Sequence, residues 1–314
     1  MRLLSAGLAF FLGAVLFAAA RAENGLTGAP ILNRPVGARS SGMGRAFTAV
    51  PGDVEDIMYN PAGLAFAPSL KAYAAYMNGF GGGNYGFAGI PLKLWNFVLT
   101  PAFLYYNSGG MDLNLSDGTT GNVVGEMDKV SMLSAAYQPL HGLALGATVK
   151  RTEIDLAETA SASAMSYDFG ALYSIEDGLS FGAASLNNGA AIKFEDKGDP
   201  SPATFRGGVS YKFVFNPANF LDHSSPVTYC DLVFASDWSK VNKEAGHYQS
   251  GLEMNMKMPE SIFLSLRVGY LFNRAEDGFT FGLGLRNGPW DFGFGFETAK
   301  KLDSRHPVSV SYEF

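Results

Sequence analysis

Charged side chains recur at alternate positions of several segments, and their placement is the first indication of chemistry in this sequence. In residues 204–213, Arg206 and Lys212 alternate with Phe205 and Phe213, so charge and aromatic rings fall on opposite faces of an extended chain. Ten charged residues share this placement: Lys150, Asp168, Arg206, Lys212, Asp231, Glu253, Arg267, Arg286, Asp291 and Glu297. Buried charges must pair or contact water. The ten residues therefore predict either an ion-pair network inside the fold or a polar lumen through which a ligand passes.

Motifs for catalysis are weak. Residues 178–182 read GLSFG and match the G-x-S-x-G pattern of hydrolases. They follow a tight-turn signal and lie within an alternating segment, whereas a nucleophile needs a strand-to-helix elbow. The four histidines have no metal-ligand spacing. We therefore expect no enzyme activity, no metal and no cofactor.

Composition narrows the class of protein. Hydrophobic residues make up 47% of the 314 residues and charged residues 17%, against about 25% charged in soluble domains. Beyond Ala22 there is no apolar run of the ~18 residues that a membrane helix needs. Apolar residues distributed by alternation are typical of a transmembrane β-barrel. The net charge of −6 argues against nucleic acid as a partner.

The period of two extends from residue 70 to the C-terminus. A soluble β-sandwich also alternates, but its outer face would be rich in Lys and Glu. Here the non-apolar face is mostly Gly, Ser and Thr, and the apolar face has aromatic residues near strand ends, such as Tyr270 and Trp290. The segments predict an all-β, antiparallel transmembrane barrel of about fourteen strands. Short turns, such as Pro91-Leu92, Pro139 to Gly142 and Asn287 to Pro289, lie mostly at one end, and longer loops lie at the other.

The two ends of the chain indicate the compartment. Met1-Arg2, an apolar run and a small-residue site at residues 20–22 predict a signal peptide over 1–22; an N-terminal membrane anchor is the alternative. The last strand ends with Tyr312 and Phe314. A terminal aromatic residue on an alternating strand resembles the signal that bacterial outer-membrane proteins present to their assembly machinery. We expect an outer-membrane protein in contact with lipid.

Residues 37–64 break the alternation and are rich in small residues. Asp53 is a suitable N-cap for a short helix over Val54–Tyr59. Pro61-Ala62-Gly63 predicts a tight turn in which Gly63 is free to adopt positive φ. Eight strands are filled by their own side chains and sixteen leave a channel. A barrel of fourteen has room for this stretch, so we predict a plug over 23–69 inside a barrel over 70–314.

The plug stretch carries a family resemblance. The pattern Gly42-x-Gly44-x-Ala46, then Asp53, then Asn60-Pro61-Ala62-Gly63-Leu64 resembles the N-terminal hatch of FadL-type outer-membrane proteins. That superfamily includes long-chain fatty-acid channels and PorV/PorQ-like proteins. The resemblance implies a fourteen-stranded barrel with the hatch in its lumen. The chain is shorter than the fatty-acid channels and has modest outer loops, which argues against high-affinity capture of fatty acids and indicates a smaller subfamily.

Pro101 stands inside an otherwise regular strand pattern. Proline cannot donate to a β-ladder, and a closed barrel has no free edge. Pro101 therefore predicts a local bulge or gap in the wall. FadL-type channels are thought to release hydrophobic ligands sideways next to the hatch, and the resemblance makes Pro101 a candidate for such an opening; a harmless bulge is the alternative.

Two functions from different classes follow. The first is passive transport of small, fatty-acid-like hydrophobic molecules, with Asn60, Pro61, Ala62, Gly63 and Pro101 as ligand or gating residues. This function requires an apolar pocket that touches the plug. The second is a structural or secretion-partner barrel like PorV, in which the plug stays shut and the outer loops bind a partner.

Overall fold

The computed structural model describes residues 27–34, 36–114, 118–175, 178–195, 198–215, 227–274, 277–299 and 303–314. The predicted signal peptide and the first residues of the predicted plug lie outside these ranges. No helix in the described ranges is both long and apolar enough to cross a membrane.

Fourteen antiparallel strands of the described chain form one closed barrel. Each strand pairs with its neighbours in sequence, and the first pairs with the last. The strands are β1 (Lys71–Asn78), β2 (Asn84–Gly89), β3 (Phe97–Asn107), β4 (Glu126–Leu140), β5 (Leu143–Leu156), β6 (Ala160–Ser174), β7 (Leu179–Gly189), β8 (Thr204–Phe215), β9 (Tyr229–Val241), β10 (Gly246–Lys257), β11 (Ile262–Leu271), β12 (Asp277–Asn287), β13 (Trp290–Ala299) and β14 (Val308–Glu313). The predicted all-β barrel and its strand number are confirmed.

The two faces of the wall differ as the alternation predicts. Large apolar side chains point outward and are exposed; Phe169 retains 57% of its accessible surface and Leu283 52%. Trp290 and Tyr312 pack edge to face at 4.8 Å on this outer surface. Small and polar residues point inward and are mostly buried. An outer belt of apolar and aromatic groups is what a lipid-facing barrel surface requires.

The turn after β2 differs from the prediction. The sequence pattern suggested a turn at Pro91-Leu92, but Leu92–Leu94 continues the line of β2 and pairs with the start of β3. The hairpin turns at Trp95-Asn96 instead, where Trp95 adopts a φ of 53°. Proline within the strand looked like a turn signal because it cannot donate a ladder hydrogen bond.

The N-terminal segment, residues 36–66, is largely buried. It contains a helix, α1 (Ala38–Gly42), and two 3-10 helices, Val54–Met58 and Pro61–Phe66. Asp53 caps the first 3-10 helix, and Asp56 completes a capping box. The expectation of positive φ at Gly63 is wrong, because Gly63 lies within a 3-10 helix. A Cβ at Gly63 would overlap the Asp56 carboxylate, so close approach requires glycine there.

Candidate functional site

Asp237 is a central contact between the barrel wall and the N-terminal segment. One of its carboxylate oxygens accepts hydrogen bonds from the backbone N–H groups of Phe47 and Thr48, both at 2.9 Å, and from the Thr48 hydroxyl at 2.6 Å. Arg206 donates to the same oxygen at 3.0 Å and to the Arg45 carbonyl at 2.8 Å. Asp237 and Arg206 are both buried, so wall and segment share one compact polar cluster.

Glu253 is a second contact of this kind. Arg39 of α1 makes a two-pronged ion pair with it, at 2.8 and 2.9 Å, and Arg267 donates to it at 2.6 Å. Arg39 also reaches Asp53 at 3.1 Å. A buried carboxylate held by two guanidinium groups is a strong, charge-assisted arrangement.

Glu297 on β13 forms a third contact. It accepts from Arg45 of the N-terminal segment at 2.6 Å and from Arg305, which follows β13, at 2.8 Å. Its side chain is fully buried. Three carboxylates on three strands of the wall therefore hold the segment between Arg39 and Thr48.

A further cluster lies between β5, β6 and β7. Lys150 and Asp168 are fully buried and paired at 2.8 Å. Asn187 accepts from the Lys150 ammonium at 2.9 Å, and its amide nitrogen donates to the Asn33 side chain at 3.1 Å. This cluster holds the chain that precedes the N-terminal segment.

The other predicted charges lie near the short-turn end of the barrel. Lys212 pairs with Asp231 at 3.3 Å, and Asp291 with Lys71 at 3.3 Å. Arg286 is exposed and stacks over the Phe263 ring at 4.1 Å. The ten charged residues predicted from alternation therefore form two groups. One group belongs to the clusters that hold the chain inside the barrel, and the other forms a rim at the short-turn end.

Glu55 is buried within the N-terminal segment. It accepts hydrogen bonds from the backbone N–H of Ser40 at 2.8 Å and from the Tyr73 hydroxyl at 2.5 Å. Burial, and next the charge of Asp53, raise the pKa of the Glu55 carboxyl to about 7. A small polar crevice of about 20 Å³ lies beside it, bordered by Arg39, Lys71 and other groups.

The Asn60–Gly63 turn packs directly on the wall. The Asn60 amide donates to the carbonyl of Ala171 on β6 at 3.0 Å and to that of Thr48 at 2.8 Å. Its side-chain oxygen caps the following helix by accepting from the Ala62 N–H at 3.2 Å. All four residues of the turn are buried. The turn thus connects the wall to the rest of the segment.

Glycines make this close approach feasible. Gly146 and Gly170 are directly paired across β5 and β6, and a Cβ on either would overlap the Asn60–Ala62 turn. The same overlap with the segment's backbone would occur at Gly182 on β7, Gly251 on β10 and Gly269 on β11. Alternation with aromatic residues placed glycines on the inward face, but it did not show that they contact the N-terminal segment. Asp237, Arg39 and Arg45 were not among the predicted site residues.

Pro101 lies on the outer face of β3, next to a break in the ladder. Pairing with β4 runs without a register shift from Phe97 to Asn107, so the predicted bulge is absent there. On the other side, pairing stops between Gly89 and Leu92. The Ile90 N–H donates to the Pro101 carbonyl at 3.2 Å, but proline has no N–H to return. The interruption therefore lies in the neighbouring strand, at Ile90-Pro91.

A cavity of about 370 Å³ lies near the long-loop end and is lined by Val124, Met127, Asp155 and the residues from 158 to 161. Neither it nor the polar crevice borders the Asn60–Gly63 turn.

Within the described ranges there is no group of three or more His, Cys, Asp or Glu that could hold a metal ion. Ser180 of the G-x-S-x-G match donates to the Ser174 hydroxyl at 2.9 Å, so this hydrogen bond goes to another serine rather than to a base.

Comparison with known proteins gives likeness in structure alone. No protein-family model matches the chain, and no curated protein matches it in sequence. The toluene transporter TodX of Pseudomonas putida superposes with a TM-score of 0.56 at 10% identity, covering 88% of this chain and 97% of its own. The toluene transporter TbuX of Ralstonia pickettii gives 0.58 at 12% identity, covering 89% and 98%.

A FadL homologue of Pseudomonas aeruginosa also superposes, with a TM-score of 0.50 at 13% identity over 89% of this chain and 98% of that one. Each of these three proteins is covered almost completely, and the described strands close into the same number that the resemblance implied. The resemblance to FadL-type proteins that the sequence indicated is confirmed for the architecture: this chain has the FadL-type barrel fold.

Proposed function

We propose that the protein is an outer-membrane channel that passes small hydrophobic molecules passively, with its own N-terminal segment as the hatch. One observation carries the proposal: the fold is that of proteins described as toluene transporters, and the chain matches them over nearly their whole length. The exposed apolar belt on the outside of the barrel supports a membrane location.

The proposal assigns a role to each part of the chain. Residues 1–22 are an export signal, 23–69 the hatch and 70–314 the transmembrane barrel. Tyr312 and Phe314 are read by the assembly machinery. Opening of the hatch is controlled by its turn, Asn60, Pro61, Ala62 and Gly63. Pro101 marks the side exit, where one ladder hydrogen bond is missing.

Uptake of a neutral hydrophobic dye tests the proposal. Cells that make the protein should take up N-phenyl-1-naphthylamine faster than cells that lack it, and deletion of residues 60–62 should change the rate several-fold. Folding of each variant is verified by heat-modifiable migration on gels. Equal uptake with and without a folded wild-type barrel would contradict transport.

A second function is favoured by the tightness of the interior. At Gly146, Gly170, Gly182, Gly251 and Gly269 the segment touches the wall backbone, and three buried carboxylates hold it. A barrel with a permanently closed interior would serve as a structural or secretion-partner protein whose outer loops bind a partner. The dye experiment separates the two, because a closed barrel gives no uptake.

A further inference from the structure

The inner wall meets the N-terminal segment through two sectors of different chemistry. The anchor sector, β5 to β13, supplies the glycine contacts and the buried carboxylates Asp237, Glu253 and Glu297. The apolar sector, β1 to β4, faces inward with buried apolar side chains. Those side chains are Tyr73, Met77, Tyr85, Phe87, Val98, Leu104, Val130, Met132 and Ala136.

Hydrogen bonding separates the sectors as sharply as side-chain type does. Between the described residues 36–66 and β1 to β4, the hydrogen bond that the structure shows joins Tyr73 to Glu55. Across the anchor sector, the wall binds the segment through Ala171, Arg206, Asp237, Glu253 and others. Apolar contact is non-directional, so a hydrophobic molecule can replace one side of it without leaving polar groups unpaired.

The break in the ladder falls within the same apolar sector. Pairing between β2 and β3 is interrupted at Ile90-Pro91, beside Pro101. Close by, Val54 of the segment approaches Gly89 of the wall. A Cβ added to Gly89 would lie 3.1 Å from Cγ1 of Val54. The missing ladder hydrogen bond and the face of the segment with few described hydrogen bonds to the wall therefore lie in the same sector.

Charge in this sector is unfavourable for anions. Asp128 on β4 is 1% exposed, and neither of its carboxylate oxygens has a hydrogen-bond partner. Glu126 lies on the same strand near the long-loop end. Arg34 interacts electrostatically with Glu126, but it is exposed to solvent. Lys71 on β1 also faces inward, but its ammonium is already paired with Asp291 at 3.3 Å. A ligand carboxylate would therefore meet Asp128, and the inward cation described on these strands already has a carboxylate partner.

We infer that the apolar sector is the ligand-contact surface of the channel and that it takes uncharged hydrocarbons and rejects carboxylates such as fatty acids. This inference rests on the proposed transport function and narrows its substrate class. Leu104, Phe87, Val130 and Met132 are the residues that determine specificity, because they are buried, apolar and on the strands around the break.

A matched pair of dyes tests the substrate class on the wild-type protein. N-phenyl-1-naphthylamine is uncharged, and 8-anilinonaphthalene-1-sulfonate has similar rings with a negative charge. Cells that make the protein should gain at least several-fold in uptake of the first dye and show no gain for the second. Octane should compete with uptake of the neutral dye, and octanoate should not. Equal competition by octanoate would overturn the assignment.

A matched pair of variants tests the sector. Leu104→Ser changes a fully buried leucine in the apolar sector, and Leu271→Ser changes a leucine of 1% exposure in the anchor sector. We expect the first to alter neutral-dye uptake several-fold and the second to leave it within twofold. Equal effects of both would overturn the inference. Should Leu104→Ser fail to fold, Phe87→Leu is measured instead. Absence of wild-type uptake would instead reject the underlying transport function.

Discussion

The β1–β4 and β5–β13 sectors hold the same stretch of chain by different means. In the anchor sector, glycines let backbone touch backbone, and buried ion pairs fix the register of the segment. In the apolar sector, side chains pack without a comparable set of hydrogen bonds. A buried ion pair is costly to break because it leaves an unpaired charge, whereas an apolar contact is replaced by any molecule of similar chemistry. The comparison suggests a segment that is fixed on one side and separable on the other.

The largest expected effect is at Glu253, where two arginines converge. Glu253→Gln removes the carboxylate that Arg39 and Arg267 share and leaves Arg39 with Asp53 alone, which should lower the free energy of unfolding by about 3–5 kcal/mol. Urea unfolding in lipid vesicles, followed by tryptophan fluorescence, measures the change. Glu260→Gln, in an exposed turn, is the control and should shift the value by less than about 0.5 kcal/mol. Equal changes in the free energy of unfolding for the two variants would contradict the claim that buried ion pairs hold the segment in the anchor sector.

The next effect is at Gly182, whose added Cβ would overlap the Thr48 carbonyl. Gly182→Val should cost about 1–3 kcal/mol, because backbone on both sides prevents relaxation. Gly207→Val on the neighbouring strand is the control, since no heavy atom lies within 4 Å of the position its Cβ would take. The fraction of heat-modifiable barrel on gels reports both. If Gly207→Val were the more damaging change, the close approach of segment and wall would be refuted.

Glu55 predicts a pH dependence. An unfolded glutamate titrates near 4.5, and burial together with Asp53 raises the pKa of Glu55 in the folded protein to about 7. The folded state therefore holds an extra proton between these values, and the free energy of unfolding falls as pH rises through this window and levels off above it.

Each pKa unit corresponds to at most about 1.4 kcal/mol. Urea titrations of the wild type and of Glu55→Gln between pH 4 and pH 8 measure the difference between their slopes. Parallel curves would show that Glu55 keeps an ordinary pKa.

The smallest effect is at Pro101. Pro101→Ala supplies an N–H that the Ile90 carbonyl can accept, which should stabilise the barrel by about 1 kcal/mol. Neutral-dye uptake should decrease at the same time if the break is the exit. A stabilised barrel with unchanged uptake would separate the break from transport.

Much of the fold could be predicted from the sequence, because the alternation of apolar and polar residues shows directly which face of a strand meets lipid. The strands and the short turns at residues 141–142 and 288–289 follow from that pattern. The turn at Trp95-Asn96 did not, because Pro91 imitates a turn signal inside a strand.

The site was only partly readable. Alternation identified wall charges such as Arg206 and Glu253, but it does not say which residues of an irregular segment meet them. Asp237 contacts the N–H groups of Phe47 and Thr48 across about 190 positions of sequence. The inward glycines could be recognised as a pattern in the sequence. Their role, which is to let the segment's backbone touch the wall, follows only from the structure.

Two engineered disulfides test the central claim most directly. In a Cys230→Ser background, Val54→Cys with Gly89→Cys would lock the apolar sector, and Ser41→Cys with Gly295→Cys would lock the anchor sector. A Cβ built on Gly295 lies 3.5 Å from that of Ser41, within the range of a disulfide. We predict that the apolar lock stops uptake of the neutral dye until a reductant is added, and that the anchor lock leaves uptake unchanged. Uptake stopped by the anchor lock but not by the apolar lock would contradict the account.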